Sequence, residues 1–125
     1  MPDPVPLLTA VDRLADRFRS MPQSRLLAPV PGHPSRATAA LALARRLAAD
    51  AQAVEQDGAG LLRALPDAGP FAAGDQLAVA GHDLAVALAG LPGDAPVTTR
   101  EGARAAASGV LADAVAAVGA LAKLV

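Results

Sequence analysis

The sequence predicts an all-α fold, specifically an antiparallel four-helix bundle formed by one domain of residues 1–125. Three observations predict this class. Apolar residues recur at helical spacing in four segments, and no segment shows the alternating, β-branched pattern of a strand. Short stretches rich in proline and glycine separate the segments. We expect helices over about 4–20, 34–57, 72–91 and 98–124, with a short additional helix within 21–27.

The first helix is predicted from a single apolar stripe. Its members follow one another at alternating steps of four and three residues: Leu7, Val11, Leu14, Phe18 and Met21. Such steps place side chains on one face of a helix. Asp3 and Pro4 suit a helix start, because the N–H that proline lacks would be unpaired in the first turn. Pro22 disfavours helical backbone at the residue before it, so the helix should end near residue 20.

The second helix is predicted to follow the proline-rich loop of residues 28–34 and to end at about Gln56, before Gly58. Its inward side is expected to be apolar: Leu41, Ala44, Leu47, Ala48, Ala51 and Val54. Its outward side is expected to carry the charges: Arg36, Arg45, Arg46, Asp50 and Glu55. This division is typical of a helix with one buried and one solvated face.

The third helix, over about 72–91, is predicted from two neighbouring rows of residues. One row forms the core stripe: Leu77, Ala80, Leu84, Leu88 and Leu91. The other row consists of small residues: Gly74, Ala78, Gly81 and Ala85. Because small side chains leave the backbone accessible, this row should let another helix come close.

The last helix is predicted to begin with a capping box formed by Thr98 and Glu101. At this spacing, the side chain of each residue can accept a hydrogen bond from the free backbone N–H of the other. Between residues 105 and 122 the only ionisable side chain is Asp113. A helix that is apolar nearly all round is typically buried, so we expect it at the centre of the bundle. An aspartate in the middle of the segment argues against a membrane span.

Composition and charge exclude several classes of function. The chain has no cysteine, which rules out disulfides and thiolate metal sites. Its net charge of −1 lacks the positive excess that binds nucleic acid or acidic membrane surfaces. It has no tryptophan or tyrosine, so base stacking is poorly supported. We therefore expect a cytoplasmic protein with no cofactor and no nucleic-acid or membrane partner.

The most polar helix surface is the first place to look for a site. It is expected to combine four residues of the third helix with two arginines of the first: Asp75, Gln76, His82, Asp83, Arg13 and Arg17. Seven-residue spacing puts Asp75 with His82, and Gln76 with Asp83, on nearly the same side of the helix. The simplest interpretation is a solvated surface on which the acids pair with the arginines.

Two families offer a more specific interpretation of His82 and Asp83. The order His33, His82-Asp83, Asp113 resembles the H…HD…D order of the HD-domain metal phosphohydrolases. That resemblance implies that these four residues hold divalent metal and activate water against a phosphate ester. This sequence departs from the pattern because His33 lies in a proline-rich loop and Asp113 on the most apolar helix.

The run from His82 to Val86 also resembles the His-x-Leu-Lys-Gly motif of histidine-phosphotransfer domains, which are four-helix bundles. The resemblance implies that His82 carries a phosphoryl group. Here Ala85 stands where the family has lysine and Val86 where it has glycine. Asp83, next to the histidine, would repel the phosphoryl group.

The absence of a coherent catalytic set favours a protein that works by contact. We expect a small helical interaction or accessory protein without its own catalysis, which binds a second copy of itself or another protein. An alanine-rich core buries little area per helix, which favours a homodimer. The alternative is a metal-dependent phosphohydrolase or a histidine-phosphotransfer protein that uses His82 and Asp83.

Overall fold

The structure, a computed structural model, describes residues 2–57, 60 and 63–125. The chain is mainly helical, as predicted. Its elements are α1 (Val5–Arg19), α2 (Gln23–Leu26), α3 (Arg36–Gln56), α4 (Ala73–Leu88), β1 (Pro96–Thr98), β2 (Arg104–Ala106) and α5 (Ala107–Leu124). A 3-10 turn, Pro70–Ala72, leads into α4. The buried side chains of all four long helices join in one hydrophobic core.

The apolar stripe of α1 is buried as predicted, and α1 packs closely on α4. The close approach depends on two glycines of the predicted small-residue row. A Cβ atom at Gly81 would lie 2.7 Å from both methyl carbons of Val11. At Gly74 it would lie 2.9 Å from the backbone oxygen of Ala15. Glycine at these two positions therefore sets the distance between the helices.

The start of α3 is fixed by Ser35 and Thr38, which cap each other. The backbone N–H of Thr38 donates to the Ser35 hydroxyl at 3.1 Å, and that of Ser35 donates to the Thr38 hydroxyl at 3.0 Å. The helix is followed by Asp57, whose φ of 48° ends it in the left-handed region. The predicted stop at Gly58 lies outside the described residues.

The centre of the fold is formed by α3 and α4, which share its most extensive helix contact. Leu47 on α3 and Leu77 and Leu84 on α4 are completely buried. The predicted central position of the last helix is wrong. A third of α5 is buried, and one side of it faces solvent. Because alanine and glycine expose little apolar area each, a helix made of them can lie at the surface at low cost.

The predicted start of the last helix at residue 98 is also wrong, because residues 96–106 form an antiparallel β-hairpin. Three β-branched residues in a row, Val97, Thr98 and Thr99, favour extended backbone. Gly102, with φ 80°, makes the turn, and its N–H donates to the Thr99 carbonyl at 2.9 Å. The hairpin was not predicted because its strands have only three residues each, too few for an alternating pattern to be visible.

We predict that Gly81→Ala destabilises the protein by about 1–3 kcal/mol through the clash with Val11, whose branched side chain cannot rotate away within a helix. The matched control is Gly119→Ala on α5, where a Cβ meets nothing within 4 Å. The control should raise the free energy of unfolding by about 0.5–1 kcal/mol. Urea unfolding of both variants measures the difference, and equal stabilisation by both would contradict the close α1–α4 packing.

Candidate functional site

Two polar pairs connect α1 and α4, and both arise from matched seven-residue spacing on antiparallel helices. The His82 Nε2 atom lies 2.8 Å from a carboxylate oxygen of Asp12. Arg19 Nε donates to Asp75 at 2.8 Å. This hydrogen bond, and a weaker one to Asp16, raise the pKa of the Arg19 guanidinium above its ordinary value. All these side chains are largely exposed, so each pair contributes less than about 1 kcal/mol to stability.

The predicted arginine partners of this surface are different from the observed ones. Asp75 pairs with Arg19 rather than with Arg13 or Arg17. Arg17 instead donates to the main-chain oxygens of Ala122 and Val125, at 3.0 and 2.6 Å. Arg13 forms no ion pair with the described residues. The first helix was correctly predicted to supply the partners, but the side of α1 that faces α4 carries Asp12 and Arg19.

The predicted polar patch is divided between two sides of α4. Gln76 donates to the Pro66 carbonyl at 2.8 Å. Asp83 lines a groove of about 450 Å³ together with Glu55 and Arg63. His82, the next residue in the chain, points instead to Asp12 on α1. His82 and Asp83, which the family resemblances would place in one site, therefore have different surroundings.

The residues of the metal interpretation lie on three parts of the molecule. His33 borders a groove between α3 and α5, Asp113 is exposed on α5, and His82 lies at the contact of α1 with α4. Among the residues that the structure describes, no three His, Asp or Glu side chains are close enough together to hold a metal ion. The linear order that resembles an HD domain does not form a cluster of ligands.

The surroundings of His82 also limit phosphoryl transfer. Its Nε2 atom is engaged with the Asp12 carboxylate, which would repel an incoming phosphate. The two exposed valines on either side, Val79 and Val86, supply no positive charge.

A second polar cluster, which was not predicted from the sequence, joins the β-hairpin to α3. Asp50, predicted to face outward, is only 4% exposed. Its carboxylate accepts hydrogen bonds from the Arg100 backbone N–H at 3.0 Å and from the Arg100 guanidinium at 3.1 Å. The helical period did indicate that Asp50 faces inward, because Asp50 lies three residues after Leu47 and four before Val54, on the inward stripe.

Next to this pair, Asp57 accepts hydrogen bonds from Arg104 and from the Thr98 hydroxyl. The Arg104 hydrogen bond, followed by that of Thr98 and by the charge of Arg104, holds the pKa of the Asp57 carboxyl below its ordinary value of 3.8. Thr98, which was predicted to cap a helix, instead connects the hairpin to the end of α3. The two carboxylates thus anchor the segment that leads into α5.

The outer side of α5, here called the α5 face, is exposed and mostly uncharged. It consists of the exposed residues of that helix: Ser108, Gly109, Ala112, Asp113, Ala116, Ala120, Lys123 and Leu124. Grooves of about 390 and 290 Å³ run along its two sides, next to the start of α1 and next to α3. By length and composition α5 would also suffice to cross a membrane.

No protein-family model, curated protein or solved structure gives a significant match to this chain.

We predict that Asp50→Ala lowers the free energy of unfolding by about 2 kcal/mol, because hydrogen bonds to a charged group contribute about 1.5–3 kcal/mol. The control is Glu55→Ala, which removes an exposed acid from the same helix and should change stability by less than about 0.5 kcal/mol. Chemical denaturation of both variants tests the assignment. Equal effects would mean that Asp50 does not anchor the hairpin.

We predict that the stability contributed by Asp57 depends on pH. Since its pKa is lowered in the folded protein, the contribution is present above 3.8 and is lost as the pH falls through the folded-state pKa. Asp57→Asn keeps a residue that tolerates left-handed backbone but removes the charge. The unaltered protein should exceed this variant in stability at neutral pH, and the difference should shrink in acid.

Urea midpoints measured across the acid range test this dependence. Arg104→Gln removes the main cause of the lowered pKa, so the Asp57→Asn substitution should have a smaller effect in that background. A difference that stays constant with pH would contradict the prediction.

Proposed function

We propose that this protein is a small cytoplasmic interaction protein without catalysis of its own, which self-associates through the α5 face. The observation that carries the proposal is the composition of that face. Six of its eight residues are uncharged, and the helix has a mean hydropathy of 1.5 although two thirds of it is not buried. Large exposed apolar patches on a folded protein typically mark interaction surfaces.

The dimensions of the α5 face suit an interface between proteins. The 18 residues of α5 span about 27 Å at 1.5 Å per residue. With the near sides of α1 and α3 the surface is roughly 18 Å wide, at the usual helix spacing of 8–10 Å. The resulting area is roughly 500 Å² per copy, or about 1,000 Å² for two copies, which is at the lower end of specific protein–protein interfaces.

The rest of the chain holds the α5 face in place. We propose that the four long helices act as an antiparallel bundle in which α3 and α4 provide the rigid centre. The hairpin, tied to α3 through Asp50 and Asp57, fixes the point at which α5 begins. The exposed side of α5 is thereby held in one orientation, which reduces the ordering cost of binding.

The alternative, a phosphohydrolase or phosphotransfer protein based on His82 and Asp83, has less support. The two side chains have separate neighbours, and the imidazole faces a carboxylate. No observation favours this function over binding.

We predict that Ala116→Arg, which places a charge at the centre of the α5 face, weakens self-association by roughly tenfold or more. Ala116 is exposed, so the substitution should leave the fold intact. Val79→Arg is the matched control, because Val79 is 61% exposed on α4 and lies outside the face. Analytical ultracentrifugation from micromolar to millimolar concentration measures the association of all three proteins.

The unaltered chain and the Val79→Arg control should form dimers, and Ala116→Arg should be largely monomeric. If the unaltered chain is a monomer over the whole range, self-association is not its function. If Val79→Arg rather than Ala116→Arg disrupts the dimer, the interface lies elsewhere.

A further inference from the structure

The α5 face carries two ionisable side chains, and they have opposite charge. Asp113 and Lys123 are both exposed, and neither forms an ion pair with any residue that the structure describes. They are separated by ten positions, about 15 Å along the helix axis and about 80° around it. Both therefore lie on the exposed side of the helix, with Asp113 near the middle of its length and Lys123 near its C-terminal end.

Such a pair is complementary to itself when two identical helices run in opposite directions. Asp113 and Lys123 lie equally far before and after position 118. A two-fold axis at the level of that position places each aspartate opposite the lysine of the other copy. The same axis places Ala116 opposite Ala120 of the partner subunit, so small residues meet at the centre.

We propose that the partner of the α5 face is a second copy of this chain, packed antiparallel, with Asp113 of each copy paired to Lys123 of the partner subunit. This inference rests on the proposed function and adds the direction in which the second copy packs and the residues that pair. It requires an isologous interface, in which the same residues contribute from both copies. One dimer then contains two equivalent intermolecular ion pairs.

The steric character of the face agrees with this arrangement. A Cβ atom at Gly109 meets nothing within 4 Å, and Ala112, Ala116 and Ala120 carry only a methyl group. Two such helices can approach to about 8 Å between their axes. Asp113 and Lys123 each lie about 40° around the helix from the line along which the two helices touch. At an axis distance of about 8 Å, the Cβ atoms of Asp113 and of Lys123 of the partner subunit are then about 5 Å apart, a distance that an aspartate and a lysine side chain readily bridge.

The charges also decide against a parallel pair. Parallel packing about a two-fold axis along the helices would place Asp113 opposite Asp113 and Lys123 opposite Lys123. Like charges brought together in an interface weaken it. Antiparallel packing additionally places the helix dipoles in opposite directions, which is the favourable alignment for neighbouring helices.

Charge reversal tests the pairing. Asp113→Lys and Lys123→Asp each turn two attractive contacts of the dimer into two repulsive ones, and each should raise the dissociation constant roughly tenfold. The double variant Asp113→Lys with Lys123→Asp restores opposite charges at both contacts and should return the constant to within about threefold of the unaltered value. Both positions are exposed, so circular dichroism should show unchanged helix content.

Cross-linking tests the direction independently, because the natural chain contains no cysteine. Asp113→Cys and Lys123→Cys are prepared separately and then mixed under mild oxidation. The antiparallel dimer predicts that a mixed disulfide forms, since the heterodimer brings the two thiols together and keeps one ion pair intact. Each variant alone should cross-link poorly, because its two thiols lie about 15 Å apart along the axis.

The outcomes separate this inference from the proposed function. If Ala116→Arg abolishes the dimer but the single charge reversals do not weaken it, the α5 face is the interface and the Asp113–Lys123 pairing is wrong. Efficient cross-linking of each cysteine variant with itself would indicate a parallel dimer and overturn the inference. If the unaltered chain stays monomeric and instead floats with phosphatidylcholine vesicles, a lipid surface is the partner and both proposals fail.

Discussion

The position of α5 depends on the buried carboxylate of Asp50. It accepts hydrogen bonds from the backbone and the side chain of Arg100, and so holds the β-hairpin against α3. A carboxylate removed from water is costly unless it is paired and hydrogen-bonded, so the hairpin is needed to satisfy Asp50 as much as Asp50 is needed to hold the hairpin. The hairpin uses residues that would otherwise extend the last helix, which then starts at Ala107. The side of α5 that meets the core carries larger apolar residues, among them Val110, Leu111 and Val118.

Small residues have two separate uses in this chain. On α4, Gly74 and Gly81 are buried and allow α1 to come within contact of the backbone. On α5, alanines and glycines remain at the surface, where the small area of each makes exposure inexpensive but their sum forms an apolar side about 27 Å long. The first use explains how α1 and α4 can pack closely against each other. The second explains why we assign an interaction function to the protein.

The sequence predicted the parts of the fold that depend on helical periodicity. The stripe of α1 is buried, and the glycine row of α4 meets another helix. Prediction from the sequence failed where tertiary contacts outweigh the local conformational preference of the residues. The spacing of Thr98 and Glu101 suits a helix cap, yet Thr98 bonds to Asp57, which is 41 residues away. For the candidate site, sequence could identify polar residues on α4 but not their neighbours, because the rotation of α1 against α4 depends on packing.

The most direct test of the central claim is hydrogen–deuterium exchange at low and high protein concentration. If α5 forms the interface, the backbone amides of residues 107–124 should exchange more slowly as the protein concentration rises. The reason is that dimerisation suppresses local opening of that helix. Amides of α4 around Val79 and Val86 should change little, although both valines are exposed. Exchange in α5 that does not depend on concentration, or protection that develops on α4 instead, would contradict the assignment of the α5 face.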